Sequence, residues 1–560
     1  MEVDHDLVVV DEFDALSIEL KHSLSAEYLP EASSSLPPAR NVSVPLPSPS
    51  VEARDRRLFV EAPKLGKHPA QEHARKVAKE LGATSGLIYL PGQESKNYED
   101  SDQPPEFRQR RYFYYLSGAD FADCAVTYDL ARDNLILWIP YTDPRQALWF
   151  GKTPTPEECK AQTSVSDVRY ITDLPRYLRS YLSTRSPSST SNTATIYILH
   201  PSQPPPLPES LGARGILQID TVSLQPAMDT ARVTKSAWEI AAIRRANAVS
   251  SAAHRAVLTR FKKMTNEREI EAVFRGYCLA VGAKKTAYPT IAGSGPNAAT
   301  LHYGANDEPL AGRQLVVLDA GAEWSCYASD VTRTFPIGGK FTKEAQAIYS
   351  IVEKMQESCI RSIRPGYQFV WLHVHAMTVA VSELLKLRIL KGAAKDILAA
   401  GTGAAFFPHG LGHHVGLEVH DVMGKEKLMI GAGVRVKARG GGLGKREMVS
   451  PEMMAGLYRA AVGGDLSKSK AKLEPGMIVT IEPGIYFSRA YIEAFFLKHP
   501  VHSKFIDGEV LEKYYDVGGV RIEDDILVTE DGNENLTPAP KGEEAVRIIN
   551  GEDKEDWVKY

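Results

Sequence analysis

The chain has few cysteines, no long apolar run and no large excess of charge of either sign. Its five cysteines are Cys124, Cys159, Cys278, Cys326 and Cys359. They are scattered, odd in number and without a Cys-x-x-Cys spacing, which argues against a disulfide framework and favours a reducing compartment. Apolar runs stay short of the roughly 20 residues that a membrane span requires. A formal net charge of −4 offers no positive surface to a polyanion. We therefore expect a cytoplasmic protein with neither a membrane nor a nucleic acid as partner.

Two common hydrolase signatures are also missing. The chain has no His-Glu-x-x-His pattern, which places two zinc ligands on one helix face, and no Gly-x-Ser-x-Gly elbow for a serine nucleophile. It has instead a segment from His409 to His420 that contains four of its fifteen histidines. Three glycines within the segment oppose a helix. We predict an extended chain, in which His409 and His413 share a face and His420 joins them through a turn near Gly416.

Carboxylates on strand-like runs can complete a site with these histidines. Asp319 and Asp330 lie on two successive runs that we predict to pair as a hairpin. An unpaired buried carboxylate at such a position would be costly, and two carboxylates side by side attract a cation. Glu482 and Glu523 occupy similar positions on two later apolar runs.

The ligand types indicate which metals would bind. Asp319, Asp330, Glu482 and Glu523 carry four negative charges, and His413 adds one neutral nitrogen. This charge would balance two divalent cations. Structural zinc sites prefer thiolates and imidazoles, whereas an oxygen-rich set suits harder ions, so manganese is the leading candidate and cobalt, iron or zinc are alternatives. Two ions about 3.5–4 Å apart can activate water and polarise a carbonyl. The sequence therefore predicts a dinuclear site suited to amide hydrolysis.

The motifs around these five residues resemble those of the aminopeptidase P and prolidase family of dinuclear metallopeptidases. They are Leu-Asp-Ala-Gly, Ser-Asp-Val-Thr-Arg-Thr-Phe, His-Gly-Leu-Gly-His, Ile-Glu-Pro-Gly-Ile-Tyr and Val-Arg-Ile-Glu-Asp. The resemblance extends from Pro63 to Ile549. It implies an α+β fold, with a C-terminal pita-bread catalytic domain and a smaller N-terminal α/β domain.

The resemblance also implies an activity and a cofactor. The activity is hydrolysis of the bond between an N-terminal residue and a penultimate proline, by a hydroxide held between two Mn²⁺ ions per subunit, with Co²⁺ or Zn²⁺ as alternatives. Peptides with proline at the second position are the expected partners, and a homodimer is the expected assembly. Asp319 would be held by one ion, and His413 and Glu482 by the other. Asp330 and Glu523 would bridge the two.

Further residues are expected to act on the substrate or on protons. His302, His409 and His420 resemble the family's substrate-binding or proton-handling histidines. Glu482 is expected to move protons because it would lie beside the attacking hydroxide. Arg521 is expected to orient a neighbouring carboxylate.

We expect three parts in the chain. Residues 1–62 would form an N-terminal extension and linker, because a proline- and serine-rich stretch resists packing and the acidic start lacks the features of a secretory signal. Residues 63–220 would form the N-terminal domain. Residues 221–550 would form the catalytic domain. A basic insertion at 424–472 would be either a lid beside the site or a solvated loop.

Two patterns predict local structure within these domains. Two helices followed by a metal-bearing hairpin occur twice, with capping boxes at Ser236 and Asn266 and a cap at Thr342. Such a duplication would set the four carboxylates on one sheet with helices on its other face. In the N-terminal domain, helix and strand signals alternate, and the aromatic run 112–118 is predicted to be a buried strand.

Two other functions stay open. A prolidase would cleave only Xaa-Pro dipeptides, and prolidases supply an arginine shortly before the Pro-Gly-Met strand to hold the dipeptide carboxylate. In the corresponding segment here the basic residues are all lysines, such as Lys468. Lysine is a poorer partner for a carboxylate than arginine. We therefore expect longer peptides to be cleaved at least as well as dipeptides. The second alternative is an inactive pita-bread scaffold, which usually loses ligands, whereas all five are present here.

Overall fold

The computed structural model describes residues 65–183, 193–208, 217–424, 428, 450–463 and 472–552. The expected extension 1–62 and most of the insertion 424–472, including Lys468, lie outside the described residues. Within the described ranges, no helix combines the length and the apolar character needed to cross a bilayer.

The described residues form the following strands and α-helices. The strands are β1 Leu87–Pro91, β2 Ala125–Asp129, β3 Asn134–Ile139, β4 Asp167–Tyr170, β5 Ala194–Tyr197, β6 Leu217–Asp220, β7 Ile291–Ser294, β8 Leu315–Asp319, β9 Glu323–Trp324, β10 Tyr327–Ala328, β11 Thr332–Pro336, β12 Ile478–Ile481, β13 Gly484–Tyr486, β14 Gly519–Arg521, β15 Asp524–Val528 and β16 Asn533–Asn535. The α-helices are α1 Ala70–Leu81, α2 Arg111–Ser117, α3 Pro144–Phe150, α4 Pro156–Gln162, α5 Leu174–Ser183, α6 Leu224–Val233, α7 Ala237–Arg260, α8 Glu267–Ala280, α9 Lys343–Ile360, α10 Phe369–Lys386, α11 Ala394–Ala400, α12 Pro451–Val462, α13 Arg489–Ile492, α14 Gly508–Leu511 and α15 Gly542–Ile549.

The N-terminal part is built on a mixed six-stranded sheet in the order β4-β3-β2-β1-β5-β6. The strands β1, β2 and β3 pair antiparallel, and β4, β5 and β6 each pair parallel to a neighbour. Leu87 and Tyr89 of β1 enter one hydrophobic core, and Ile88 and Leu90 enter another. Because successive side chains of a strand point to opposite faces, a strand covered on both faces reads as a continuous apolar run. The predicted α/β fold of this part is confirmed.

The aromatic run Tyr112–Gly118 is a helix, so the prediction of a strand is wrong. Helix α2 runs from Arg111 to Ser117, and its side chains from Phe113 onward are buried. Gly118 ends the helix with a φ of 69°, and a Cβ at this position would lie 2.7 Å from the Cγ of His68. Aromatic residues prefer strands mainly because they fit a half-buried surface. A helix surrounded by the hydrophobic core buries the same aromatic side chains equally well.

The two predicted helix pairs are present in the C-terminal part. Helices α7 and α8 precede the sheet β11-β8-β7, and α9 and α10 precede β12 to β16. Ser236 caps α7 in the predicted capping box. Asn266 caps α8 by accepting from the backbone N–H of Arg268 at 3.0 Å, but Glu269 accepts from the N–H of Thr265. The second predicted capping box is therefore wrong, although the helix begins where expected.

The four carboxylates lie on or beside separate small sheets, so the prediction of a single sheet is wrong. These sheets are β11-β8-β7, β12-β15-β16 and the pair β13-β14. Pro483 separates β12 from β13, because proline has no N–H for a strand ladder. A β-bridge between Thr332 and Glu523 connects the first sheet to the segment between β14 and β15. The histidine segment is not a strand, and it contacts β12 through a bridge between His414 and Val479.

Part of the predicted insertion is a packed helix. Ser450 caps α12 by accepting from the N–H of Met453 at 3.2 Å. Met454 and Leu457, three residues apart on one helix face, are buried in the same core as residues of α11. The expectation of a solvated loop is therefore wrong for Pro451–Val462.

Candidate metal centre

The five predicted metal ligands come together from distant parts of the chain. Asp319 is the last residue of β8, and Asp330 lies just before β11. Glu482 directly follows β12, and Glu523 lies between β14 and β15. His413 lies in the histidine segment beside β12, where Thr480 donates its N–H to the carbonyl of His413 at 2.8 Å. Strand ends therefore supply the carboxylates, and a loop supplies the imidazole.

The ligand atoms are close enough to share metal ions. His413 Nε2 lies 3.4 Å from Asp330 Oδ2 and 3.4 Å from Glu482 Oε1. One potential ligand atom from each of Asp319, Asp330 and Glu523 lies within 4.8 Å of the others. The same holds for His413, Glu482 and Glu523. Because Glu523 belongs to both groups, it is placed as a carboxylate shared between two neighbouring ions would be.

Burial and mutual repulsion shift the titration of these carboxylates. Asp330 is 5% exposed and Glu523 is 1% exposed. Burial raises the pKa of Asp330 well above its ordinary value, and the charges of Asp319 and Glu482 raise it further. Burial also raises the pKa of Glu523, with Asp330 and Asp319 adding to the shift. Such a cluster is stable in its ionised form only when cations lie among the carboxylates.

The hydrogen-bond pattern around the cluster also fits a metal. Arg521 Nη2 donates to Asp319 Oδ2 at 2.6 Å, and Thr332 Oγ1 donates to Glu523 Oε2 at 2.6 Å. The other oxygens, Asp319 Oδ1 and Glu523 Oε1, are buried without a hydrogen-bond partner among the residues described. A buried carboxylate oxygen without a partner is costly unless a cation takes it. The donor set therefore fits a pair of divalent ions.

Gly321 allows the chain to bring Asp319 beside Asp330. The strands β8 and β11 pair antiparallel with Asp319 opposite Thr332. A Cβ on Gly321 would lie only 2.0 Å from the carbonyl oxygen of Ser329. No larger residue fits there, which explains the glycine that follows Asp319 in the Leu-Asp-Ala-Gly motif.

The residues that hold Asp330 in place were missed by the sequence analysis. Asp525 Oδ2 accepts from the N–H of Asp330 at 3.0 Å and from Asn247 Nδ2 at 2.7 Å. Thr537 Oγ1 donates to Asn247 Oδ1 at 2.7 Å. Burial raises the pKa of Asp525 to about 7. Asp525 directly follows the Val-Arg-Ile-Glu-Asp motif and could have been found there, whereas Asn247 and Thr537 lie in no motif.

His420 lies beside His413, with ring centroids 4.3 Å apart. The predicted turn between them is confirmed, since Asp421 donates its N–H to the carbonyl of His414 at 2.9 Å. One ring nitrogen of His420 also lies within 4.8 Å of potential ligand atoms of Asp330 and His413. The geometry therefore suits His420 both as a ligand and as a group that contacts substrate.

His409 lies at the end of a hydrogen-bond chain. Its Nδ1 donates to the carbonyl of Gly410 at 2.8 Å, since that oxygen can only accept, and its Nε2 lies 2.9 Å from the Tyr486 hydroxyl. That hydroxyl accepts from Arg521 Nη1 at 2.9 Å, which leaves its own proton for His409. Burial lowers the pKa of His409 to about 3, and the charges of Arg521 and His302 contribute. His409 is therefore neutral, and His302 lies within its electrostatic reach.

We expect Arg521→Met to lower the free energy of unfolding of the metal-free protein by about 3–5 kcal/mol, because it leaves a buried partner charge uncompensated. Arg521 is 4% exposed and contacts Asp319 and Tyr486. Urea unfolding with and without metal measures the change in the free energy of unfolding. The change should be smaller with metal, because bound cations balance the negative charge of Asp319. Arg521→Lys, which keeps the charge, is the matched control and should lose less. Unchanged unfolding of Arg521→Met would contradict this role.

The structure brings eight of the nine predicted site residues together, and His302 is near enough to His409 for its charge to lower the pKa of His409. The individual roles of all nine stay predictions. The nine residues are Asp319, Asp330, His413, Glu482, Glu523, His302, His409, His420 and Arg521.

Comparison with known proteins agrees with this geometry. A family model described as metallopeptidase family M24 matches residues 241–530, and one described as aminopeptidase P, N-terminal domain, matches residues 70–189. A protein of Colletotrichum graminicola named probable Xaa-Pro aminopeptidase is 53% identical over 557 residues, which cover 98% of this chain and 99% of that protein. One of the same name from Metarhizium robertsii is 51% identical over 557 residues, with 98% and 99% covered.

Solved structures show the same fold. The zinc-substituted aminopeptidase P of E. coli in complex with product has a TM-score of 0.66 and 26% identity, covering 88% of this chain and all of that chain (100%). The E. coli aminopeptidase P with the inhibitor Pro-Leu has a TM-score of 0.64 and 26% identity, covering 87% of this chain and 99% of that chain. The predicted pita-bread fold with its smaller N-terminal domain is therefore confirmed, and the chain belongs to metallopeptidase family M24.

Proposed function

We propose that this protein is an Xaa-Pro aminopeptidase, which removes the N-terminal residue from peptides that carry proline at the second position. The observation that carries the proposal is the convergence of all five ligand residues in a chain that matches curated Xaa-Pro aminopeptidases over nearly its full length. The same observation disfavours an inactive scaffold, which would have no use for a buried cluster of like charges.

The metal ligands are proposed to be Asp319, Asp330, His413, Glu482 and Glu523, holding two divalent ions. We propose Mn²⁺, with Co²⁺ or Zn²⁺ as substitutes, because the donors are mainly oxygens. When bound, such ions lower the pKa of water and withdraw electrons from a carbonyl oxygen.

The remaining site residues position the substrate and move protons. Glu482 is proposed to accept a proton from the attacking water and return it to the proline nitrogen, since its Oε2 faces His409 Nδ1 at 4.0 Å and its backbone is held by the Leu411 carbonyl at 2.9 Å. His420 and His302 are exposed and are proposed to donate hydrogen bonds to substrate carbonyl oxygens.

Three further assignments are proposals. The division into 1–62, 63–220 and 221–550, with the insertion 424–472, rests on the sequence analysis. A cytoplasmic location is supported by five cysteines that are all free and buried. A homodimer rests on the family resemblance.

Release of the first residue from Xaa-Pro-Yaa peptides tests the proposed function. Release should require a divalent metal, stop when the metal is chelated and return with Mn²⁺. Matched Xaa-Ala-Yaa peptides should remain intact. If the first residue is not released in the presence of Mn²⁺, Co²⁺ or Zn²⁺, the proposal is refuted.

We expect Xaa-Pro-Yaa tripeptides to be cleaved at least as well as Xaa-Pro dipeptides. A dipeptide-specific enzyme needs a well-placed cation for the dipeptide carboxylate, and a lysine is a weaker partner than an arginine. A prolidase would favour dipeptides by roughly tenfold or more in kcat/KM, the scale of one charged hydrogen bond. Comparing kcat/KM for matched peptides of both lengths decides between the two enzymes. A strong dipeptide preference that Lys468→Ala abolishes would establish the prolidase alternative.

A further inference from the structure

A second pocket lies beside the candidate metal centre. Its volume is about 310 Å³, and it opens where the N-terminal part meets the histidine segment. The lining residues that matter here are Arg110, Arg111, Tyr112, Gln203, Arg232 and Glu418. None of the proposed metal ligands or substrate-contacting residues lines it. The pocket is therefore distinct from the metal centre.

The charges in and around this pocket leave one cation without an anionic partner. The ion pairs are Arg108 with Glu418, Arg111 with Glu323, and Arg232 with Asp421. Among the residues described, no carboxylate lies within ion-pair distance of Arg110, whose guanidinium contacts the carbonyl of Pro91 at 3.5 Å. Half-buried Arg110 is thus available to an anion that enters the pocket.

Buried polar atoms of the lining also lack partners. Arg111 is 5% exposed and Arg232 is 2% exposed. Arg111 Nε, Arg111 Nη1 and Arg232 Nε have no hydrogen-bond partner in the described part of the chain, and neither has the acceptor Gln203 Oε1. Leaving buried polar groups without a partner costs free energy. Three donors and one acceptor without partners match a ligand that carries a carboxylate beside an N–H group.

The ring of Tyr112 helps to hold Arg232 in place. The Arg232 guanidinium lies over this ring at 4.7 Å from its centroid, a favourable cation–π geometry. The Tyr112 hydroxyl donates to Asp229 at 2.6 Å. The pocket wall is therefore built before any ligand arrives, which reduces the entropy that binding would cost.

The pocket lies within reach of a peptide bound at the metal centre. Glu418 and Val422 both line it, and each is two residues from His420, which lies against His413. Two residues span at most about 7 Å. A peptide whose scissile bond lies at the metal centre would therefore need about two to four residues beyond its proline to reach the pocket.

We propose that this pocket binds the C-terminal carboxylate of peptide substrates of about four to six residues. The proposal rests on the proposed aminopeptidase function, and it makes the enzyme select short peptides over long chains. Arg110 supplies the unpaired positive charge, and Gln203 accepts from the last peptide N–H. The same chemistry would accept a small free carboxylate, so the experiment separates the two sources.

Arg110 is the residue to change because its neighbours Arg111 and Arg232 also stabilise the fold. Arg111 and Arg232 are buried in ion pairs with residues of the C-terminal part, so their substitution would disturb the fold. Arg110→Gln removes the unpaired charge and keeps a polar side chain. Arg145→Gln is a matched control, because Arg145 lies on α3 with a side chain that is 91% exposed.

The experiment compares Mn²⁺-loaded enzyme on peptide pairs, from tripeptide to hexapeptide, that end in a carboxylate or a carboxamide. We expect kcat/KM for the carboxylate to exceed that for the carboxamide by about tenfold at one or two lengths, mainly through KM, the scale of one charged hydrogen bond. Arg110→Gln should bring this ratio to about one, whereas Arg145→Gln should leave it unchanged. Thermal unfolding of the wild type and of Arg110→Gln, with and without N-acetylglycine, tests whether the pocket binds a small free carboxylate.

Each outcome decides a separate point. If N-acetylglycine raises the melting temperature of the wild type but not of Arg110→Gln, while both peptide forms are cleaved alike, the pocket takes free carboxylates. If the ratio is about one at every length and N-acetylglycine has no effect, the inference is wrong. Cleavage of the carboxamide peptides by the wild type reports the aminopeptidase function independently, so its failure is distinguishable.

Discussion

The Asp330→Asn protein should lose metal binding and turnover together. Asp330 lies close to His413 and belongs to the same ligand group as Asp319 and Glu523. A neutral amide contributes no negative charge and cannot bridge two cations as a carboxylate can. The positive charge of the two metal ions would then be only partly balanced by the ligands. We expect turnover to fall by roughly 10³-fold or more, the scale of losing groups that act at the reacting atoms.

Metal analysis and unfolding measurements together test this expectation. Bound metal should fall in Asp330→Asn but not in Asp173→Asn, a control at an exposed carboxylate.

The raised pKa of Asp330 means that the folded state binds the proton of this carboxyl group more tightly than the unfolded state. The metal-free wild type therefore loses stability as pH rises above the ordinary carboxyl pKa. Asn at position 330 should remove part of that loss, so metal-free Asp330→Asn should be more stable than the metal-free wild type at alkaline pH. Full metal content with full activity would contradict the dinuclear site.

The His420→Ala protein should retain both ions and yet turn over roughly 10²–10³-fold more slowly, the scale of losing one oxyanion or proton-handling group. His420 is exposed beside His413, where its ring can donate to a substrate carbonyl. The loss should fall mainly in kcat, because a group that acts in the transition state contributes little to ground-state binding.

Metal content separates the two roles that the geometry allows for His420. Retention of both ions with slow turnover supports contact with substrate, whereas loss of metal would make His420 a ligand, as its position near Asp330 permits. His200→Ala, at an exposed histidine of the N-terminal part, controls for the general effect of removing an imidazole and should keep normal kinetics.

Short-range sequence patterns predicted much of the fold and the candidate metal ligands. The capping box at Ser236, the strand that precedes Glu482 and the strand that ends at Asp319 all depend on residues a few positions apart. Such features can be predicted from sequence because capping residues and the alternating side chains of a strand occur at fixed spacings.

Predictions failed where packing over long distances decided the outcome. The aromatic run at Tyr112 has strand propensity, but the surrounding core makes it a helix. The insertion helix Pro451–Val462 is buried through Met454 and Leu457, which pack against residues of α11. Intrinsic preferences are weak compared with the burial of large side chains, so tertiary contacts override them.

The sequence alone predicted the five candidate metal ligands, because each of them stands in a local motif with glycines and apolar neighbours. Only the tertiary structure showed how these ligands are held and what lies beside them. Asn247 and Asp525, 278 positions apart, form a hydrogen bond behind Asp330. Arg232 and Asp421, 189 positions apart, form an ion pair beside the second pocket, which Arg110 and Arg232 line. No local periodicity relates such residues, since their contact arises only when separate helices and strands pack into one core.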